Sequence, residues 1–339
     1  MSFKSALARL VHPIEQVIDS LRPRAMPEKP VIEAYDGFAG PDALHLQGRV
    51  LSHVARSDVR SGQSKRENAW QMLRLFFTDE VQGVEVCAGD VCTLSDEEGY
   101  VRLSIPRRGL APGWHDIDVT LPAYPHMRAA LPVRVPGPDA PFGVISDIDD
   151  TVMQTGAYSL KRNLWTTFTG NAQTRHVFPD ALALMQRAEE AGAPVFYVSS
   201  SPWNLFGFLR EVFARAGLPR GPMFLRDLGI SERQFITGTH GDHKGAAIDR
   251  ILAAHPGLPF VLVGDTGQHD AEVYHAAHLR HPGRIVQVIL REPGPGPSDE
   301  ARAEIDAMRA AGLRVTTGQT FVGMTLPPAR PGQERTSLS

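Results

Sequence analysis

The sequence has 339 residues, of which 42% are hydrophobic and 22% charged, and a formal net charge of −3. At roughly 100–200 residues per domain this length predicts two domains, and the composition is that of globular proteins. The net charge argues against a dedicated nucleic-acid-binding protein, which normally carries a strongly basic domain.

The sequence carries no sign of export or of membrane insertion. No apolar run reaches the roughly 18–20 residues that a membrane-spanning helix needs. Near the N-terminus, Arg9, His12 and Glu15 interrupt any apolar core of a signal peptide. We therefore expect a cytoplasmic protein without a transmembrane segment, with peripheral attachment to a membrane as the alternative. The sequence does not indicate an oligomeric state.

Residues 1–29 predict an amphipathic helix. Apolar residues recur at spacings of three and four and form one stripe, made of Leu7, Leu10, Val11, Ile14, Val17, Ile18 and Leu21. Such a helix either docks on its own protein or binds a membrane surface or a partner. Docking is favoured because the opposite face is not conspicuously rich in Lys and Arg.

Residues 30–136 predict an antiparallel β-sandwich domain. Short runs of alternating apolar and polar residues are separated by turns, for example at 44–50, 84–87, 100–105 and 114–121. The two cysteines, Cys87 and Cys92, flank a Gly89-Asp90 turn and can face each other across a hairpin. A disulfide is geometrically conceivable there, but free thiols are expected in a cytosolic chain.

Residues 137–314 predict a second domain, of the α/β class. Apolar strand-like runs at 142–146, 195–198, 223–225, 260–263 and 285–290 alternate with helical stretches at 181–191, 205–216, 244–254 and 271–279. This alternation indicates a parallel sheet with helices on both faces, whose active site lies outside the carboxyl ends of the strands. Residues 315–339 are rich in Gly, Pro, Thr and Arg and are predicted to form a disordered tail.

Acidic residues follow two of the predicted strands. Asp147 and Asp149 leave a buried strand, where two acids are costly unless a cation or a partner offsets them. Asp265 and Asp270 follow a second strand. Mg²⁺ binds carboxylates together with phosphate oxygens and water, so these four residues predict a magnesium site. Nearby histidines leave zinc or manganese as alternatives, although hard oxygen ligands favour magnesium.

Two further segments supply groups suited to phosphate. Ser199 and Ser200 end a predicted strand just before a helix, where a hydroxyl can face a bound phosphate. Lys244 opens another helix, and its ammonium group can neutralise a phosphoryl group and a nearby carboxylate. Arg226 and Asp227 form either a substrate contact or a structural ion pair.

These four motifs, in this order, resemble those of the haloacid dehalogenase superfamily. Asp147, Asp149 and Thr151 match its Asp-x-Asp-x-Thr motif, and the later motifs are matched by Ser199, Lys244, and Asp265 with Asp270. The segments 196–205, 225–227, 264–274 and 282–285 further resemble the actin-patch phosphatidate phosphatase family, whose bacterial relatives also carry a β-rich domain. The resemblance implies a Rossmann-like sheet with a small cap; an actin-related role is not carried over, because no recruitment segments are evident.

The resemblance also implies a chemistry, namely Mg²⁺-dependent hydrolysis of a phosphomonoester through an aspartyl-phosphate intermediate. Asp147 would be the nucleophile, and Asp149 would serve as general acid and then as general base. The phosphoryl group would be held by Ser199, Ser200 and Lys244. The metal ligands would be Asp147, the main-chain carbonyl of Asp149, Asp265 and, in the first or second shell, Asp270.

The segment between the first two motifs leaves only about 25 residues for a cap, too few to enclose a substrate as a full domain would. Lys161 and Arg162 can meet a phosphate-rich surface, whereas Trp165 and Phe168 either touch acyl chains or pack within the cap. Phosphatidate, hydrolysed to diacylglycerol, is therefore the expected substrate by resemblance. The alternatives are a phosphoprotein, a polynucleotide end, or a binding protein that lacks activity.

Overall fold

A computed structural model of the chain describes residues 29–53, 80–154, 176–226, 240–294 and 296–328; for residues 240–242 it describes the backbone only. All but the last residue of the predicted N-terminal helix lies outside these ranges. So does most of the predicted cap, with Lys161, Arg162, Trp165 and Phe168, and so does Asp227.

Seven strands in the first part of the chain form one hydrogen-bonded sheet, in the order β4-β3-β6-β7-β1-β2-β5. They are β1 (Val31–Ala39), β2 (Ala43–Leu51), β3 (Glu85–Ala88), β4 (Val91–Leu94), β5 (Tyr100–Pro106), β6 (Gly113–Thr120) and β7 (Arg128–Val135). The strand pairs are antiparallel except β1 with β7. The antiparallel texture agrees with the prediction, but the described residues of this part form one continuous sheet instead of the two separate sheets of a sandwich. The sheet is continuous because β1 pairs with β2 on one side and with β7 on the other. It thereby connects the strands β2 and β5 to the strands β6 and β7.

The core of this first sheet comes from the alternation seen in the sequence. Alternate residues of its strands are buried in one apolar cluster, for example Leu46, Val86, Val119 and Val133. Because residues two apart on a strand share a face, these side chains lie on one face of the sheet and pack against each other there.

The hairpin of β3 and β4 carries a disulfide, and the prediction of free thiols is wrong. Cys87 and Cys92 are directly opposite each other across the two strands, and their sulfur atoms are bonded. The Gly89-Asp90 turn produces this register, since Gly89 adopts the positive φ of 61° that a tight hairpin turn requires.

Six parallel strands form the second sheet, in the order β10-β9-β8-β11-β12-β13. They are β8 (Gly143–Asp147), β9 (Val195–Pro202), β10 (Met223–Arg226), β11 (Phe260–Asp265), β12 (Ile285–Arg291) and β13 (Arg314–Gly318). The helices are α1 (Pro179–Glu190), α2 (Phe206–Ala216) after a 3₁₀ turn, α3 (His240–Ala254), α4 (Asp270–Arg280) and α5 (Asp299–Ala310).

The helices of this part cover both faces of the parallel sheet. Apolar residues of α1 and α2, such as Leu184 and Phe213, belong to one buried cluster, whereas those of α3, α4 and α5, such as Ile251 and Ile305, belong to another. Both faces being covered explains why the strands read as continuous apolar runs. Among the helices in the described ranges, none has the length and apolar character needed to cross a bilayer.

The segment after residue 315, predicted as a disordered tail, is ordered as far as residue 328. β13 pairs with β12 at the edge of the sheet, and Phe321 and Met324 are buried in the apolar cluster beside α1. Disorder was predicted from the high content of Gly, Pro and Thr, among which the few apolar residues of this segment are spaced. Residues 329–339 lie outside the described ranges.

The two sheets pack on each other through aromatic side chains of β1. Tyr35 stacks on Trp203, with ring centroids 4.4 Å apart, and Phe38 contacts Phe196 and Phe224. Trp203 immediately follows β9, so this contact supports the strand that carries the serine motif.

Candidate active site

The candidate site lies where the strand order of the parallel sheet reverses. β8 and β11 are neighbours at its centre; β9 and β10 lie on one side, and β12 and β13 on the other. In open parallel sheets, ligands bind outside the carboxyl ends of the strands at such a point. Asp147 is the last residue of β8 and Asp265 the last residue of β11. The topology therefore brings the two acidic motifs together.

Three buried carboxylates form the centre of the site. Asp147, Asp265 and Asp270 each place one carboxylate oxygen so that these atoms lie within 4.8 Å of one another. Each of the three residues is at most 1% exposed. Asp270 is the first residue of α4, where the end of the helix dipole favours a negative charge.

Lys244 links two of these carboxylates. Its Nζ donates to Oδ1 of Asp147 and to Oδ1 of Asp270, both at 2.6 Å. Thr151 Oγ1 donates to the other oxygen of Asp147, Oδ2, at 3.0 Å. Both oxygens of Asp147 are thus fixed by donors. Three carboxylates against one ammonium leave two negative charges uncompensated when all groups are ionised.

The pKa values reflect this excess of negative charge. Burial, together with repulsion from Asp270 and Asp149, raises the pKa of Asp147 to about 8, although Lys244 opposes the rise. Burial, together with repulsion from Asp270 and Asp147, also holds the pKa of Asp265 well above its usual value. Burial alone would lower the pKa of Lys244, but the two carboxylates outweigh it and raise that pKa. A bound cation would therefore stabilise the ionised cluster.

The donor set fits a hard divalent cation. Asp265 Oδ1 accepts hydrogen bonds from the main-chain N–H groups of Gly267 and Gln268 at 2.6 and 2.9 Å. Its second oxygen, Oδ2, is buried and has no hydrogen-bond partner among the described residues. A buried carboxylate oxygen without a donor is costly, and a metal ion removes that cost. Oxygen ligands of this kind are those that Mg²⁺ takes.

Asp149 lies beside this cluster and contacts the serine motif. Its Oδ2 accepts hydrogen bonds from Ser199 Oγ at 2.8 Å and from Ser201 Oγ at 2.9 Å. Ser199 and Ser201 are two apart on β9 and share a face, which places Ser200 on the other face of that strand. The main-chain carbonyl of Asp149 accepts from Gln268 Nε2 at 3.0 Å.

The loop after β8 holds Asp149 in this position by a sharp turn. Asp150 has a φ of 58°, in the left-handed region that Asp tolerates better than most residues. Its main-chain N–H donates to the carbonyl of Met153 at 2.8 Å, which closes the turn. Asp150 itself is not part of the carboxylate cluster.

Most of the residues predicted from the sequence thus meet at one end of the parallel sheet. Ser201 and Gln268 join them and were missed. The run of three serines gave a signal for Ser201, because residues two apart on a strand share a face. Gln268 gave no signal, since its contact depends on how two distant loops meet.

Two comparisons with known proteins bear on this site. Residues 142–292 match the family model described as the catalytic domain of phosphatidate phosphatase APP1. The chain is 30% identical to phosphatidate phosphatase APP1 of Saccharomyces cerevisiae over 190 residues, which cover 56% of this chain and 32% of that protein. The matched range holds the four motifs, so these findings confirm the resemblance to this phosphatase family over the second sheet and support its interpretation as an enzyme.

More distant matches add less. The chain is 29% identical over 155 residues to an uncharacterized protein of Schizosaccharomyces pombe, covering 44% of this chain and 25% of that one. It therefore spans about a third or less of the curated relatives it matches. A chain from the structure of the Pnkp1/Rnl/Hen1 RNA repair complex matches with a TM-score of 0.28 and 10% identity, covering 55% of this chain and 45% of that one; a likeness at this level carries no argument.

Proposed function

We propose that this chain is a Mg²⁺-dependent phosphatase of the haloacid dehalogenase type, that Asp147 is its nucleophile, and that its substrate is phosphatidate. The observation that carries the proposal is the buried cluster of Asp147, Asp265 and Asp270 around Lys244, at the reversal point of a parallel sheet. The cluster lies within the range that matches a phosphatase catalytic domain.

In the first step, an oxygen of Asp147 attacks the phosphorus atom, and the bond to the leaving oxygen breaks. The geometry supports this role because Thr151 and Lys244 donate to the two oxygens of Asp147 and so fix the plane of its carboxylate. The product of the step is an aspartyl-phosphate, a known use of a carboxylate nucleophile. Lys244 would also stabilise charge on the phosphoryl oxygens.

Asp149 would transfer the protons. It gives a proton to the leaving alkoxide in the first step and takes one from the attacking water in the second, which releases phosphate and restores Asp147. Ser199 and Ser201 donate to Oδ2 of Asp149, and its other oxygen, Oδ1, would contact the leaving group. When phosphate is bound, the hydroxyl of Ser199 would turn to one of its oxygens.

The metal would be held by Asp147, Asp265 and the main-chain carbonyl of Asp149, with Asp270 in the first or second shell. Among the described residues, none donates a hydrogen bond to Asp265 Oδ2. The two oxygens of Asp270 accept hydrogen bonds from Lys244 Nζ and from the main-chain N–H of Asp265. When bound, Mg²⁺ would supply charge stabilisation at the phosphoryl group.

The substrate is proposed from similarity to the yeast phosphatidate phosphatase. The test is phosphate release by the purified chain from phosphatidate in vesicles, compared with a panel of soluble phosphomonoesters. We expect turnover of the lipid that requires Mg²⁺ and stops with a chelator. Rapid turnover of a soluble ester without phosphate release from the lipid would overturn phosphatidate as the substrate, but not the proposed phosphatase activity.

The nucleophile is tested separately with Asp147→Asn. This substitution keeps the size of the side chain and is expected to lower the rate of phosphate release by about 10⁴-fold or more. The matched control is Asp299→Asn, because Asp299 is 95% exposed on α5 and should leave the rate unchanged. Acid quenching of the reaction followed by mass spectrometry should place a phosphoryl group on the peptide that contains Asp147. Residual activity close to that of the unsubstituted chain would exclude Asp147 as nucleophile.

A further inference from the structure

An arginine buried at the end of β12 has no place in the chemistry above. Arg291 is only 4% exposed, and a charged side chain is almost never so deeply buried unless it is paired. Its Nη2 donates to both carboxylate oxygens of Asp180 at 3.0 Å. Its Nη1 donates to the main-chain carbonyl of Gln319 at 3.0 Å. The remaining nitrogen, Nε, donates to the main-chain carbonyl of Thr151 at 3.2 Å.

The guanidinium group is also fixed by two aromatic rings. The centroids of the Phe178 and Phe321 rings lie 4.1 and 4.2 Å from Cζ of Arg291. Asp180 accepts a further hydrogen bond, from the main-chain N–H of Phe321 at 2.6 Å. Burial would raise the pKa of Asp180, but these donors outweigh it and lower that pKa, so its carboxylate stays ionised.

This network connects the two acidic loops of the site. β12 is the neighbour of β11, and Arg291 lies opposite Asp265 in the register of these strands. The main-chain carbonyl of Arg291 accepts a hydrogen bond from the N–H of Thr266, the residue after Asp265, at 2.8 Å. Its side chain holds Thr151, whose hydroxyl donates to Asp147. One residue therefore holds the loop of Asp265 by its backbone and the loop of Asp147 by its side chain.

We propose that Arg291 is a positioning residue that fixes the separation of the Asp147 and Asp265 carboxylates and thereby sets the selectivity of the site for Mg²⁺ over Ca²⁺. This inference rests on the proposed function, because it assumes that the cluster binds a cation. Arg291 contacts neither the carboxylates of the cluster nor the phosphoryl site; it acts through Thr151 and Thr266.

Ion selectivity is the property that such a link controls. Mg²⁺ demands nearly ideal octahedral geometry at 2.0–2.1 Å, whereas Ca²⁺ accepts flexible coordination at 2.3–2.6 Å. Loosening the two loops relative to each other should therefore weaken Mg²⁺ binding more than Ca²⁺ binding. A residue that only stabilised the fold would change the unfolding free energy without changing the ratio of the two affinities.

The test measures Mg²⁺ and Ca²⁺ affinity of the full chain by isothermal titration calorimetry. Arg291→Lys keeps the charge but not the three-nitrogen geometry, and Asp180→Asn leaves Arg291 intact but removes its charged partner. Circular dichroism checks that each variant is folded. The matched control is Arg187→Met, since Arg187 also holds the C-terminal segment, through the carbonyl of Met324 at 3.0 Å, without touching either acidic loop.

We expect both network variants to lose about 10-fold or more in Mg²⁺ affinity, the loss that second-shell changes commonly produce. Their Ca²⁺ affinity should fall several-fold less, and the control should bind both ions as the unsubstituted chain does. An unchanged ratio of the two affinities in both variants, or an equal change in the control, would overturn the positioning role. If the unsubstituted chain bound neither ion, the proposed metal dependence itself would fail, and this inference with it.

Discussion

Removing the ammonium group of Lys244 is the most informative perturbation of the site. Lys244→Met keeps the volume and deletes the charge, which leaves Asp147 and Asp270 buried and uncompensated. Breaking a buried ion pair on one side costs about 3–5 kcal/mol. At about 2 °C per kcal/mol for a chain of this size, the unfolding midpoint should fall by about 6 °C or more in the absence of metal.

The dependence of this loss on pH follows from Asp147. Its pKa is raised to about 8 in the fold, against 3.8 as its ordinary value, so it is largely protonated below pH 8 and then needs no ammonium partner. The cost of Lys244→Met should therefore be smaller at pH 6 than at pH 9. The folded chain also holds a proton that the unfolded chain has released, so without a cation its stability should fall as the pH rises from about 4 to about 8.

The measurement is equilibrium unfolding in urea with a chelator present, followed by circular dichroism and tryptophan fluorescence. Arg302→Met is the control, because it breaks an ion pair whose two side chains are 55% and 95% exposed. Such a pair contributes at most about 1 kcal/mol. Added Mg²⁺ should recover part of the loss in Lys244→Met. The reasoning would be refuted by a loss no larger than in the control, or by one that does not change between pH 6 and pH 9.

Two further predictions concern the backbone near the cluster and the hairpin of the first sheet. Gly264→Ala should abolish metal binding, measured by calorimetry, and lower the thermal unfolding midpoint, because its new methyl group would overlap the Asp270 carboxylate and the Tyr274 ring. The control is Gly257→Ala, which should change neither quantity because no atom lies within 4 Å of the new methyl group. Equal behaviour of the two variants would contradict the packing around Gly264. Reducing the disulfide of Cys87 and Cys92 should lower the unfolding free energy by about 2 kcal/mol, as expected for a short loop. Phosphate release should not change, because the bond lies in the first sheet. A loss of activity on reduction would show that the hairpin supports the site.

The aromatic contacts between the two sheets were not predictable from the sequence. The sequence predicts Tyr35 and Phe38 as ordinary core residues of an alternating strand. In the structure their side chains contact Trp203 and Phe196 of the second sheet region. The sequence shows that such a residue will be buried, but not against which element. The same limit applies to the contacts of Gln268 with Asp149 and of Arg291 with Thr151, which join residues more than a hundred positions apart along the chain.

The order of elements and the positions of the four motifs followed from local patterns. Period-two alternation indicated the antiparallel strands, and apolar runs alternating with helical stretches indicated the parallel sheet. The acids at the carboxyl ends of two strands were sufficient to predict that Asp147 and Asp265 meet, because parallel strands end at the same edge of a sheet. These features depend on neighbours along the chain, which a sequence records directly.

Tertiary structure alone decided the individual contacts that those acids make. The contact of Lys244 with both Asp147 and Asp270, that of Asp149 with Ser201, and that of Arg291 with Thr151 all join segments that are separated in the sequence. The ordered segment after residue 315 belongs here as well, since Phe321 is buried in the apolar cluster beside α1 and contacts Arg291. Local patterns predict where a side chain is placed along a strand or helix, but the free energy of a buried charge depends on everything packed around it.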